Sequence, residues 1–169
     1  HIFRDGVYIL GEQYIESEMI RHIKNLNQQK RKEVLSYLNL LIREDSIPSD
    51  ANFIAFRNGI FNLEKKTLQN FSPEIIITNK INHDYNENAW SDIGCDTLDK
   101  LACHDSNIRM LLEECIGYCF YRRNELGKAF ILTGEGANGK STFIDMIKTM
   151  LGDENIASLD LKELGDRFK

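Results

Sequence analysis

No stretch of this chain approaches the ~20 consecutive apolar residues that a membrane-spanning helix needs. No membrane partner is therefore expected. The N-terminus "HIFRDGVYIL" lacks the basic segment followed by an apolar one that marks a signal peptide. It also begins with His rather than Met, so the chain is expected to be a piece of a longer protein. Positive charge is not in excess: 21 Lys and Arg face 26 Asp and Glu, a formal net charge of −5. That argues against a protein that coats nucleic acid non-specifically, while leaving room for local contact. Metal-ligand spacing is missing as well. Cys115 and Cys119 stand four apart on an apolar helical face, where free cysteines pack, and Cys103-His104 has no C-x-x-C partner. With Cys95, these are the only four cysteines, and a reduced, cytosolic setting is the simpler expectation. Internal repeats and low-complexity tracts are absent.

What remains is an ordinary globular balance, 42% hydrophobic and 28% charged, enough to bury a core. "IFRDGVYIL" predicts two short strands around Asp5-Gly6, a favoured hairpin turn. Met19, Ile20, Ile23 and Leu26 predict a helix from Ser17. Val34, Leu35, Leu38, Leu41 and Ile42 predict a second, Gln28 to Glu44, with Pro48 as the breaker. In "NFIAFRNGIFNL" two β-rich runs flank Asn58-Gly59, a strong hairpin signal, and "LQNF" offers a third strand. "EIIIT" is strand or extended. A helix is expected from Ala89 or Trp90 to Ala102. The next, capped by Asp105 or Ser106, carries Ile108, Leu111, Leu112, Cys115, Ile116 and Cys119 as one apolar stripe. Two basic clusters, Lys30-Arg31-Lys32 with Arg21 and Lys24, and Arg122-Arg123, read first as solvated helix faces.

The chemistry is concentrated in "GEGANGKST", Gly134 to Thr142. Gly134, Gly139, Lys140 and Ser141 match the phosphate-loop pattern G-x-x-x-x-G-K-[ST] at every fixed position. Glycines allow positive φ and a close backbone approach, so that consecutive N–H groups form a concavity for anions. Lys140 would reach the β- and γ-phosphates as a point charge, and Ser141 would give its hydroxyl oxygen to Mg²⁺. Glu135, Gly136, Ala137, Asn138 and Thr142 complete the candidate cradle. Upstream, Ala129-Phe130-Ile131-Leu132-Thr133 has the length and polarity of a buried strand. Downstream, Phe143, Ile144, Ile147, Met150 and Leu151 recur at helical spacing and Gly152 stands where a helix C-terminal glycine belongs. Strand, loop and helix in that order would aim the positive end of the helix at the phosphates.

The strings "FRNGIFNL", "TNKINHDYNENA" with Trp90 just after, "EECIGYCFYRR", "ILTGEGANGKSTFIDMIKTMLGDENI" and "RFK" occur in this order. Together they resemble the C-terminal region of phage and plasmid primases, the poxvirus-primase-like proteins that carry a superfamily 3 helicase. The likeness runs from about Ala51 to Lys169, and residues before Pro48 match only loosely. It implies an α+β chain: a mainly helical accessory domain with short β-hairpins (1–125, hairpin at 53–63), then the truncated start of a P-loop, AAA+-like α/β domain (126–169). It implies ATP and Mg²⁺ as cofactors, Lys140 as the catalytic phosphate ligand and Ser141 as the metal ligand. It also implies DNA as partner, a hexamer when full length, other replication proteins nearby, and a primase or origin-binding module upstream. The setting would be the cytoplasm of a bacterial host, from a phage or mobile element.

The hydrolytic residues of such a motor, an acidic pair, a polar sensor and an arginine finger, are expected beyond Lys169. Asp160, Glu163 and Asp166 follow the loop helix, but none ends an apolar strand, and Arg167 alone is no finger. One strand and one helix cannot complete a parallel sheet, so the loop region is expected to dock on the helical part or to be poorly ordered. Two other functions fit the residues: a different P-loop enzyme such as a small-molecule kinase, and a non-enzymatic assembly or DNA-interaction module with vestigial nucleotide binding.

Overall fold

The computed structural model describes residues 1–41 and 49–160. The chain opens with a hairpin of β1 (Ile2–Arg4) and β2 (Val7–Ile9). Its two turn residues, Asp5 (φ 49°) and Gly6 (φ 89°), both take positive φ, as the turn that matches strand twist requires. Two helices follow, α1 (Glu12–His22) and α2 (Gln28–Leu41). α1 starts five residues earlier than the apolar pattern predicts, because Glu12 and Gln13 extend it through polar positions. The predicted end of α2 at Glu44 lies outside the described residues. Neither helix buries a side chain fully. They hold together partly through Arg31, which donates to the Leu26 carbonyl at 2.6 Å and pairs with Glu16. Arg31 thus leaves the basic cluster and becomes a brace.

A three-stranded antiparallel sheet comes next, ordered β3 (Phe53–Phe56), β4 (Gly59–Asn62), β5 (Thr67–Gln69). Phe56 pairs with Gly59, so the two-residue turn is Arg57-Asn58 and not Asn58-Gly59. The reason lies across the sheet. A Cβ on Gly59 would sit 2.6 Å from the Gln69 carbonyl oxygen, so the glycine serves the close approach of β5 rather than the turn. "EIIIT" forms no strand, yet it is extended enough for the Ile77 carbonyl to accept from the Tyr8 amide at 2.7 Å. Ile77 is fully buried with Val7, Ala55 and Ile60, and Ile9, Phe53, Phe71 and Ile75 pack around them. The first hairpin and the three-stranded sheet therefore share one core.

The second core is helical. α3 (Asp92–Leu101) is capped by Ser91, and α4 (Ser106–Phe120) by Asp105, whose carboxylate accepts from the Asn107 and Ile108 amides. α5 (Lys140–Leu151) ends at Gly152 (φ 84°) and leads into a 3₁₀ turn, Asp153–Asn155. Leu98 of α3, Cys115 of α4 and Phe143 of α5 are buried against one another, with Leu101, Leu112, Ile116, Met146 and Ile147 around them. Arg109 ties α3 to α4 by donating to Asp99, the Cys95 carbonyl and Glu113. The mixture of helices and small antiparallel sheets is α+β, as the sequence predicts. One element differs: Ala129–Thr133 forms no strand and is exposed. An apolar run becomes a strand only when a neighbour takes its backbone hydrogen bonds. Among the described residues no strand lies beside it, and both sheets are antiparallel and formed elsewhere. No helix of the described residues is long and apolar enough to cross a membrane.

Candidate functional site

The residues Gly134 to Thr142 form one continuous loop and helix start. Gly134 (φ 151°), Ala137 (φ 59°) and Gly139 (φ 81°) all take positive φ. Repeated excursions of this kind turn a chain back on itself and bring successive N–H groups together. Gly139 is the N-cap of α5, and no side chain caps that end, so the first-turn amides are left to solvent or a ligand. The Lys140 ammonium folds back into the loop. It donates to the carbonyls of Gly134 (2.9 Å) and Glu135 (3.0 Å) and to Asn138 Oδ1 (2.7 Å). All three of its donors are thus engaged within the loop. Ser141 and Thr142 are exposed on the first turn of α5.

Gly139 also meets α3. A Cβ there would fall 2.3 Å from Leu101 Cδ2, on a backbone that L side chains rarely adopt. Gly139→Ala is expected to cost about 1–2 kcal/mol, read as a lower denaturant midpoint at unchanged m-value. Beside the loop lies an open cleft of about 920 Å³, with Leu101, Ile108 and Leu111 on one wall and Ile131 and Leu132 on the other. Of the apolar stripe on α4, Leu112, Cys115 and Ile116 pack in the helical core. Ile108 and Leu111 instead face the cleft at 45% and 55% exposure. Asn138, Gly139, Lys140 and Thr142 line it too, whereas Ser141 does not.

The far end of α5 is held by residues 80–83, in the irregular segment between the three-stranded sheet and α3. His83 Nε2 lies 2.9 Å from the Thr149 carbonyl, Asn155 Nδ2 donates to the Lys80 carbonyl at 3.0 Å, and Asn82 donates to Glu154. The same segment clasps the β3–β4 turn. Arg57 makes a bidentate bond to Asp84 (2.9 and 2.8 Å), Asn58 exchanges two 2.9 Å bonds with the Tyr85 backbone, and the Ile81 amide donates to Ala55. Tyr85 stacks on Phe61 at 4.3 Å. The strings "FRNGIFNL" and "NHDYNENA" are thus two sides of one joint. The only sequence trace of it is their shared polar and aromatic character, since contacts between segments 27 residues apart have no local signature.

The hydrogen bonds from Arg57 hold the Asp84 carboxyl below the usual carboxylate range, against a smaller opposing effect of desolvation. A carboxyl lowered in the folded chain stabilises it above the ordinary carboxylate pKa. That contribution disappears as pH falls through the lowered value. Asp84→Asn is therefore expected to flatten the acid limb of the stability–pH curve and to leave a small loss at neutral pH, since the pair is solvent-exposed. Urea midpoints between pH 2 and 7 check this. Arg122 departs from the solvated-face reading. It is half-buried and donates to the carbonyls of Ser49 and Asp50 at 2.8 and 2.9 Å, strapping the end of α4 to the chain before β3. Arg123 stays exposed and pairs with Glu125. Glu163, Asp166 and Arg167 lie outside the described residues.

Two small antiparallel sheets joined to a three-helix core, with a glycine-rich loop opening the last helix, define the class: a mixed α+β module that presents a phosphate-loop motif. The chain belongs to the D5 N terminal like family, whose sequence profile matches residues 4–116. That match ends within α4, before the loop. A protein of Acanthamoeba polyphaga mimivirus described as a putative helicase is 29% identical over 145 residues. The alignment covers 78% of this chain and 14% of that protein, so the chain corresponds to a small part of it.

Proposed function

We propose that this chain binds ATP with Mg²⁺ through Gly134–Thr142 and is part of a phage- or virus-type primase-helicase, where nucleotide turnover drives DNA unwinding. The observation that carries the reading is the loop itself: three positive-φ positions, an uncapped helix start, and a lysine ammonium drawn into the concavity. The donor set fits a polyphosphate. Lys140 and the first-turn amides of α5 are cationic or hydrogen-bond donating, and an arriving phosphate would take over at least one of the three acceptors' places on Lys140. Ser141 is exposed and would supply a hard oxygen ligand to Mg²⁺. When bound, the metal ion neutralises charge building on the phosphates. Family membership and the helicase-named viral relative support the assignment to a replication motor.

In this reading residues 1–125 are an accessory domain and 126–169 the start of the P-loop, AAA+-like domain. DNA, a hexameric state, other replication proteins and an upstream primase belong to the complete protein. A second reading has one observation in its favour. Residues 129–133 have no strand partner among the described residues and α5 packs on α3 and α4, which is what an assembly module with a vestigial loop would show. Calorimetric titration with ATP and ADP, with and without Mg²⁺, separates the two. Saturable binding that Mg²⁺ strengthens for ATP is expected. Absence of binding for both nucleotides would favour the assembly module.

A further inference from the structure

The cleft beside the loop is unlike an ordinary protein surface. Ile108 and Leu111 leave about half of their area to solvent, and Ile131 leaves 84%. The polar groups on the α3 side of the cleft are already occupied: Thr97 donates to the Ile93 carbonyl at 2.7 Å and Lys100 pairs with Asp96 at 2.6 Å. Beside the Lys100 ammonium and the Cys103 thiol, this wall presents the methyl groups of Leu101, Ile108, Leu111 and Leu112. At its other end the cleft is bounded by Asn138, Gly139, Lys140 and Thr142, residues of the phosphate-loop motif.

We infer that the α3–α4 wall, with Ile108 and Leu111 at its centre, is the subsite for the nucleoside part of the nucleotide. This rests on the nucleotide reading of the loop. Three observations lead there. The cleft and the loop share five residues, Ala137, Asn138, Gly139, Lys140 and Thr142, so the cleft opens directly onto the place where phosphates would reach Lys140. The volume of about 920 Å³ lies in the range of small-ligand pockets. The polarity is graded, with donors at the loop end and apolar side chains at the other, and a base attached through ribose to phosphates has the same gradient. A flat base covered by Leu101, Ile108, Leu111 and Leu112 would remove apolar surface from water on both partners.

The test compares ADP with pyrophosphate, both with Mg²⁺, on the whole chain and on Leu111→Ser and Ile108→Ser. Both side chains are half exposed, so the substitutions leave the core in place, and pyrophosphate affinity reports whether the loop survives. ADP is expected to bind at least about tenfold more tightly than pyrophosphate. Each variant should lose about fivefold or more of ADP affinity while holding pyrophosphate within twofold. Equal affinities for ADP and pyrophosphate, with both variants silent, would overturn the subsite and leave the loop reading standing. The cleft would then be a seat for another protein segment. Failure of both ligands to bind the unaltered chain would overturn the loop reading and the subsite with it.

Discussion

Phe143→Ala is expected to destabilise the chain by about 3–5 kcal/mol, the usual cost of emptying a buried phenylalanine site. Phe143 is 3% exposed and packs with Leu98 and Cys115, one residue from each of α3 and α4. Its loss removes the main apolar side chain through which α5 is anchored to the helical core. Total stability for a chain of this size is of order 5–15 kcal/mol, so the variant would be strongly weakened. The measurement is a urea or thermal unfolding curve beside the unaltered protein. A single lowered transition would mean that the loop helix and the α3–α4 pair unfold as one unit. A loss under about 1 kcal/mol would mean that α5 opens locally and is no part of the cooperative core.

Lys140→Ala is expected to lower nucleotide affinity about 100-fold or more. Charge-assisted hydrogen bonds to phosphate are the strong ones, and a lysine supplies them as a point charge. Stability should change by no more than about 1 kcal/mol, because the ammonium bonds only to loop acceptors and the side chain is no part of the core. The pair of measurements, affinity by calorimetry and midpoint by denaturant, separates a binding role from a packing role. Unchanged affinity would remove the case for the loop as a nucleotide site. The contrast with Phe143 is instructive. The two residues are three apart on α5, where side chains share a face. One is directed into the core while the other turns back over the loop.

Much of the candidate site could be read from the chain alone because it is local. The spacing of Gly134, Gly139, Lys140 and Ser141 is contiguous, and the positive φ of Gly134 and Gly139 agrees with their residue type. Ala137 takes positive φ without being glycine, and nothing in its identity announces that. Helix caps were equally local: Asp105 at the start of α4 and Gly152 at the end of α5 act within a few residues of themselves. The β3–β4 hairpin was predictable in place but not in register, since Gly59 answers to Gln69 on the next strand rather than to its own turn.

By itself, then, the amino-acid sequence determined the helices, the two hairpins, the phosphate-loop motif and the apolar stripes, because each depends on periodicity or on residues close in the chain. Tertiary structure alone decided how those pieces were used. It withheld strand structure from Ala129–Thr133, since an extended run needs a neighbour for its amides and carbonyls. It turned Arg31 and Arg122 from surface charge into braces, since only folding brings the carbonyls of Leu26, Ser49 and Asp50 to their guanidinium groups. It joined Arg57 to Asp84 and the far end of α5 to residues 80–83. Contacts of that range are set by how the two cores close against each other, and no local pattern encodes them.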